Sequence, residues 1–204
     1  EIEESQHNFI KDFFINEVSP DLVTIILNDL AEFPLLRDAH GYLAVKMVMK
    51  QNENSTKSEY KRTRYAVIEI PNHINRFVVL PEVDGKQYIM LLDDVIRYSL
   101  SSIFSIFNYE RVSAHMIKVT RDAELDFDSD LHKSFLEKIS NSVKDRRVGE
   151  VVRFVYDNKI EKDTLQFFLD KMEIEAIDSI IPGGRYHNRR DYMKFPNLGR
   201  KDLQ

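Results

Sequence analysis

Residues 181–188 read I-P-G-G-R-Y-H-N and continue R-R-D-Y-M-K-F-P-N to Asn197. Consecutive glycines let backbone N–H groups converge on an anion, because the missing Cβ permits a close approach. Arg185, Arg189 and Arg190 add guanidinium forks suited to bidentate contact with phosphate oxygens. His187 can donate to the same group or exchange a proton near neutral pH. Gly183, Gly184, Arg185, His187, Asn188, Arg189 and Arg190 are therefore the candidate phosphate-binding residues. A plainer reading stays open: a Gly-Gly turn followed by solvated arginines, since a turn needs glycine with or without a ligand. A Walker loop is excluded, because its spacing and its Lys-Ser/Thr ending are missing.

Charge sharpens this reading. Residues 182–204 hold six Lys/Arg against Asp191 and Asp202, a local +4 in a chain of net −5 that leaves −9 on residues 1–181. An acidic body argues against a general nucleic-acid binder, and its basic end suggests a local anion site. Asp126, Asp128 and Asp130 alternate ahead of Glu137, as in a calcium loop, yet Leu131 stands where that loop needs glycine. A helix start with carboxylates at its positive end explains that run better. His7, His40, His73, His115, His132 and His187 show no zinc-site spacing. No serine sits in a G-x-S-x-G elbow. With no cysteine in the chain, disulfides, iron–sulfur clusters and thiolate nucleophiles are excluded. The residues assemble no complete catalytic set and no metal site.

The elements that must position these residues follow from periodicity. Apolar residues Phe9, Ile10, Phe13, Phe14 and Val18 predict a helix ending at Ser19-Pro20. Strands are predicted over 42–50, 64–70, 76–80, 87–91, 111–120, 150–156 and 177–181, with residues 22–27 a strand or buried turn. Asp84-Gly85 marks a tight hairpin, and polar residues 51–58 mark a mobile hairpin tip. Helices are predicted over 93–104, 130–143 and 163–172, the last with Asp163 as its cap. With 43% hydrophobic residues, 6 Gly and 6 Pro, the 204-residue chain has the means for one sizeable core. The element order predicts a single α+β domain with a mixed, mostly antiparallel sheet and packed helices. Neither a signal peptide nor an apolar run of membrane-spanning length is visible. A start at Glu1 rather than Met, and an end just after a basic stretch, predict a piece of a longer chain.

Residues 178–197, D-S-I-I-P-G-G-R-Y-H-N-R-R-D-Y-M-K-F-P-N, closely resemble a signature of the bacterial polyphosphate kinase family. So do K-V-T-R-D-A-E (118–124), Y-A-V-I-E-I-P (65–71) with R-F-V-V-L-P (76–81), L-L-D-D-V-I-R-Y (91–98) and V-R-F-V-Y (152–156). Five ordered matches cover most of residues 40–197.

The resemblance implies a parent enzyme that moves the terminal phosphate of ATP reversibly onto polyphosphate, through a phosphohistidine, with Mg²⁺. It implies that residues 1–18 are a linking helix and residues 19–204 the head, or middle, domain of a four-domain chain. The family's H-H-P-Y-type segment, which carries the phosphorylated histidine, does not occur in this sequence, so no residue here inherits the nucleophile's role. The fragment alone is then expected to be inactive and to hold neither ATP nor Mg²⁺. Its implied partners are the remaining domains of the same chain and a second copy in a homodimer or higher homo-oligomer. Polyphosphate is a further candidate, and nucleic acid is not. A cytoplasmic setting is implied, with membrane association through the parent enzyme as an open alternative. In this light the basic tail packs Tyr186, Tyr192, Met193 and Phe195 between domains, while its arginines pair with carboxylates. The competing readings are a stand-alone polyphosphate-binding domain and a purely structural dimerisation module.

Overall fold

The computed structural model describes residues 2–38, 40–50, 63–121, 151–175, 179–186 and 189–199, with Arg189 and Arg190 described in backbone alone. The hairpin tip expected at 51–58, the acidic run at 122–130, the helix at 130–143, His132, His187 and Asn188 lie outside the described residues.

Helix α1 (Glu4–Phe13) buries Gln6 and Ile10 and continues into a π turn, Phe14–Val18, that buries Phe14 and Val18. A repeat of four residues drifts around a helix of 3.6 residues per turn, and the wider π turn brings Val18 back to the buried side. Its start is closed by Gln6, whose Oε1 accepts from the Glu3 amide at 3.2 Å. The Gln6 Nε2 donates across to the Pro81 carbonyl at 3.2 Å, which satisfies a buried amide and ties α1 to the body. A 3-10 turn, Ser19–Asp21, then ends the helical stretch at Pro20.

Among the described residues six strands form the main sheet: β1 (Val23–Ile26), β2 (Tyr42–Met49), β3 (Thr63–Glu69), β6 (Tyr109–Arg121), β7 (Val151–Asp157) and β8 (Ile180–Gly183), in the order β1-β3-β2-β6-β7-β8. Every neighbouring pair is antiparallel except β7 with β8. A parallel pair needs a crossover, and helix α4 (Lys162–Lys171) supplies it. Strands β4 (Phe77–Val83) and β5 (Lys86–Leu91) make a separate hairpin. Its two-residue turn has φ of 50° at Asp84 and 72° at Gly85, the doubly positive pair of a type I′ turn, as the Asp-Gly signal predicts. Helix α2 (Leu92–Tyr98) follows directly, then a short α3 (Leu100–Ile103). The fold is the α+β domain expected, with a mixed and mostly antiparallel sheet.

Because β2 is central, its alternating side chains meet two cores. Leu43, Val45 and Met47 face a core shared with Ile10, Phe14, Ile96 and Phe104. Tyr42 and Ala44 face a second one built around Phe154, Phe168 and Leu169 of β7 and α4. Lys46 falls on that second face, only 8% exposed. Its ammonium donates to Asp163 Oδ2 at 2.5 Å and also to Glu161, both at the start of α4. Burial pushes the Lys46 amine down, and the hydrogen bonds it donates to Asp163 and Glu161 outweigh that and raise it. Burial likewise pushes Asp163 up, but the bond from Lys46 holds its carboxyl below the usual range.

Three sequence expectations need correction. The N-cap of α4 is Glu161, not Asp163, because the Asp163 carboxylate turns to Lys46 inside the first turn. The helix expected over 93–104 breaks at Ser99, whose φ of −93° and ψ of 6° separate α2 from α3. The last strand is Ile180–Gly183, so Pro182 and Gly183 lie within the sheet rather than in a turn after it. Gly183 is the register partner of Asp157, and positive φ occurs instead at Gly85 and Gly199 among the glycines.

The two sides of the Lys46 contact are unequal. Lys46→Met leaves Glu161 and Asp163 within reach of water, since their side chains are 29% and 55% exposed. A Glu161→Gln/Asp163→Asn pair strands a buried ammonium, and the expected loss is about 2–3 kcal/mol, at least twice that of Lys46→Met. Urea unfolding of both variants checks this order, and a costlier Lys46→Met would contradict it.

Candidate functional site

Of the candidate residues, Gly183, Gly184 and Arg185 lie where the end of β8 meets the start of α2. Leu91-Leu92-Asp93-Asp94 turns from strand to helix, placing two carboxylates in the first helical turn, where the helix dipole favours them. Asp94 projects to the segment after β8. Its Oδ1 accepts from Arg185 Nη2 at 2.5 Å and from Arg185 Nε at 3.2 Å. Arg97 Nη1 reaches the same oxygen at 2.9 Å, and the Tyr186 hydroxyl donates to Oδ2. Arg97 also donates from Nε to the Ala114 carbonyl at 3.0 Å, which anchors α2 on β6.

A second clasp lies beside the first. Asp93 is fully buried, and Arg76 Nη2 donates to its Oδ2 at 2.7 Å. Arg76 Nη1 lies 3.4 Å from Asp191 Oδ2, in the 3-10 turn Arg189–Lys194. The Phe77 ring next to Arg76 meets Tyr192 at 5.9 Å and Phe195 at 5.2 Å between centroids. Residues 185–186 and 191–195 are thus fastened by two ion-pair clasps and an aromatic contact.

Charge counting decides what this corner can do. Among the described side chains Asp93, Asp94 and Asp191 face Arg76, Arg97 and Arg185, three against three. Arg185 is already spent on a carboxylate, so the segment begins as a structural strap. Burial pushes the Asp94 carboxyl up, but the hydrogen bonds from Tyr186 and Arg185 and the charge of Arg97 hold it below the usual range. Burial raises the Tyr186 hydroxyl, and its bond to Asp94 adds to the rise. For Asp93 burial prevails over the pull of Arg76 and Arg97, and its carboxyl is pushed up.

Of the seven candidates, Gly183 ends β8, Gly184 follows it, and Arg185 sits in the Asp94 clasp. Arg189 and Arg190 open the 3-10 turn. On the other side of Gly183 and Gly184 lies a cleft of about 310 Å³, lined also by Lys118, Thr120 and Arg153. The register that pairs Lys118 with Val155 and Thr120 with Arg153 sets the two cations diagonally on one sheet face. Single-residue reading passed over both: each stands inside a strand-like run, and only the pairing of β6 with β7 brings them together.

The four described histidines each have partners of their own. His7 meets Tyr98, His40 the Asp38 carbonyl and Asn72, His73 Asp21, and His115 Asp157. Among the described residues no group of three or more His, Cys, Asp or Glu could hold a metal ion. No helix among them is long and apolar enough to cross a membrane.

An α+β domain whose basic segment is strapped across its own acidic helix start fits one family model, described as the polyphosphate kinase middle domain, over residues 5–195. The chain belongs to that family. It is 37% identical over 209 residues to the polyphosphate kinase of Vibrio parahaemolyticus, covering all of this chain and 29% of the relative. It is 35% identical over 206 residues to that of Escherichia coli K12, covering 98% of this chain and 28% of the relative. The crystal structure of polyphosphate kinase from Porphyromonas gingivalis superposes with a TM-score of 0.73 at 25% identity, over 98% of this chain and 26% of the other. The chain therefore spans a little over a quarter of the length of the proteins it matches.

The Asp94 clasp has a pH signature. Its depressed carboxyl contributes stability in full above about pH 4, and loses that contribution as pH falls through the folded value. Asp94→Asn is expected to cost about 1–3 kcal/mol near neutrality, with the gap to the parent narrowing below about pH 4. Urea unfolding at about pH 7 and about pH 3.5 measures it. An equal gap at both would remove the clasp as its origin.

Proposed function

We propose that this chain serves as the middle domain of a longer ATP–polyphosphate phosphotransferase, with residues 1–18 as the helix that joins it to a preceding domain and 19–204 as the head. The family membership supports this reading, and so does the small share of each relative that the chain spans. In the full-length enzyme the phosphoryl group would pass from ATP to polyphosphate through a phosphohistidine, with Mg²⁺, at segments other than this one. Residues 181–190 would shape the approach to the phosphate-bearing tunnel and pack against the neighbouring domains or a second copy.

One observation carries the assembly role. The clasps use Arg185 and Asp191 to fix the strap, and in doing so they hold Met193 outward at 83% exposure, with Tyr192 and Phe195 half exposed beside it. Three large apolar side chains presented together to water form a surface suited to a protein partner. The remaining domains of the same enzyme are the partners the reading assigns to it.

The test uses the enzyme at the full length of its relatives. Met193→Asp is expected to lower polyphosphate synthesis roughly tenfold or more, the scale of losing a buried interface anchor. The same substitution in the 204-residue chain should leave the melting temperature unchanged, because the Met193 side chain already stands in water. Full synthesis by the variant would remove the assembly role. A full-length parent that makes no polyphosphate from ATP would remove the phosphotransferase reading itself.

A further inference from the structure

The β4–β5 hairpin stands as a sheet of only two strands among the described residues, and one edge of β4 is taken by β5. The register fixes what the other edge presents. Arg76, just ahead of β4, accepts at its carbonyl from the Leu92 amide at 2.8 Å, so these two residues form a hydrogen-bonded pair. Such pairs alternate along an antiparallel ladder, which makes Val78–Met90 and Leu80–Tyr88 the next ones. Phe77, Val79 and Pro81 therefore turn their backbone polar groups away from β5. A proline at that position fits, because it has no N–H to offer an edge.

This outer edge is closed at both ends. The Phe77 N–H donates to Asn75 Oδ1 at 3.1 Å, and the Pro81 carbonyl accepts from Gln6. Between the two closures, the Phe77 carbonyl and both the N–H and the C=O of Val79 have no partner among the described residues. The Val79 side chain is 40% exposed, so packing does not seal the stretch. An open run of this kind is a template for another strand.

A groove of about 490 Å³ lies beside the open run, between β4 and the helical stretch that starts at α1. The two elements run in opposite directions, because Gln6 reaches Pro81 at one end and Asp21 meets His73 at the other. Stacked Phe9 and Phe13 line the apolar half of the groove, and Glu17 and Asp21 line the rest. No lysine or arginine lies among its lining residues. Residues four apart on a helix are displaced by about 6 Å along its axis, so the Glu17 carboxylate follows the Phe13 ring at about that interval. Same-side residues on an extended chain recur at about 6.6 Å, nearly the same spacing.

We infer that the outer edge of β4 accepts an extended segment of a separate polypeptide as a third strand. The segment carries a large apolar side chain for Phe9 and Phe13, and two residues away a lysine or arginine for Glu17 and Asp21. Backbone bonds to Phe77 and Val79 hold it, and the alternate side chains select its sequence. The surface lies apart from the Asp94 clasp, so its failure would leave the phosphotransferase reading of the longer enzyme untouched.

The 204-residue chain is titrated with a synthetic peptide of about eight residues, valine and threonine in alternation, with one phenylalanine and a lysine two positions on. Calorimetry should show saturable binding, and hydrogen exchange of the Val79 amide should slow at least roughly tenfold. The peptide is then N-methylated on one alternate set of amides or on the other. The set that faces β4 should lose binding and the other set should keep it. Lysine replaced by glutamate in the peptide should weaken binding roughly tenfold or more. Val79→Pro removes the outward N–H without touching the ladder to β5, and should lose the peptide at an unchanged melting temperature. Absence of saturable binding, equal effects of the two methylated sets, or unchanged exchange at Val79 would each overturn the strand addition. Equal affinity for the glutamate peptide would overturn the basic partner. Self-association of the chain in sedimentation, abolished by Val79→Pro, would overturn the separate polypeptide in favour of a second copy.

Discussion

The structure turns on one carboxylate. Asp94, in the first turn of α2, gathers Arg97 from its own helix and Arg185 and Tyr186 from the far end of the chain. Arg97 in turn grips β6, so a single side chain links the main sheet, the helix above it and the strap after β8. Its position in that first turn follows from chain geometry, because the β4–β5 hairpin feeds straight into α2 without a loop. Its partly buried setting makes each hydrogen bond stronger than it would be in water, and leaving one partner unmatched correspondingly costly. Where the strap lies decides two further features. Tyr192, Met193 and Phe195 are presented outward, and Gly183 and Gly184 become one wall of the Lys118–Arg153 cleft.

The same economy of charge appears across the domain. Lys46 stands on a strand buried on both faces, where an unpaired ammonium would be intolerable, and the start of α4 brings it two carboxylates. That contact fastens the crossover helix, which in turn allows β8 to run parallel to β7 and deliver Gly183 to the corner. Arg76 serves the other side by bridging buried Asp93 and Asp191 of the strap.

Much of this was legible from local chemistry. The Asp84-Gly85 turn, the alternation in β2 and β3 and the five family-like motifs are properties of short stretches, and the described elements lie close to where they were expected. The helix through Phe9 to Val18 was legible in extent, but not in its π turn, which depends on which side the sheet buries. Long-range pairing was not legible. Arg185 and Asp94 are 91 residues apart, and a guanidinium beside two glycines reads as an anion ligand until its partner is known. Lys118 and Arg153 each sit in an apolar run, and only the register of β6 with β7 turns them into a pair. Pro182-Gly183 read as a turn because those residues favour one, yet the parallel ladder with β7 holds them extended.

Amide hydrogen exchange in the 204-residue chain carrying Asp94→Asn tests the central claim most directly, because it reads the strap and the core separately. If Asp94 is what fixes the strap, protection is lost across residues 185–195 and at the end of β8, while β2, β3 and the centre of β6 keep theirs. Unchanged protection in the strap, or an equal loss throughout the sheet, would contradict it.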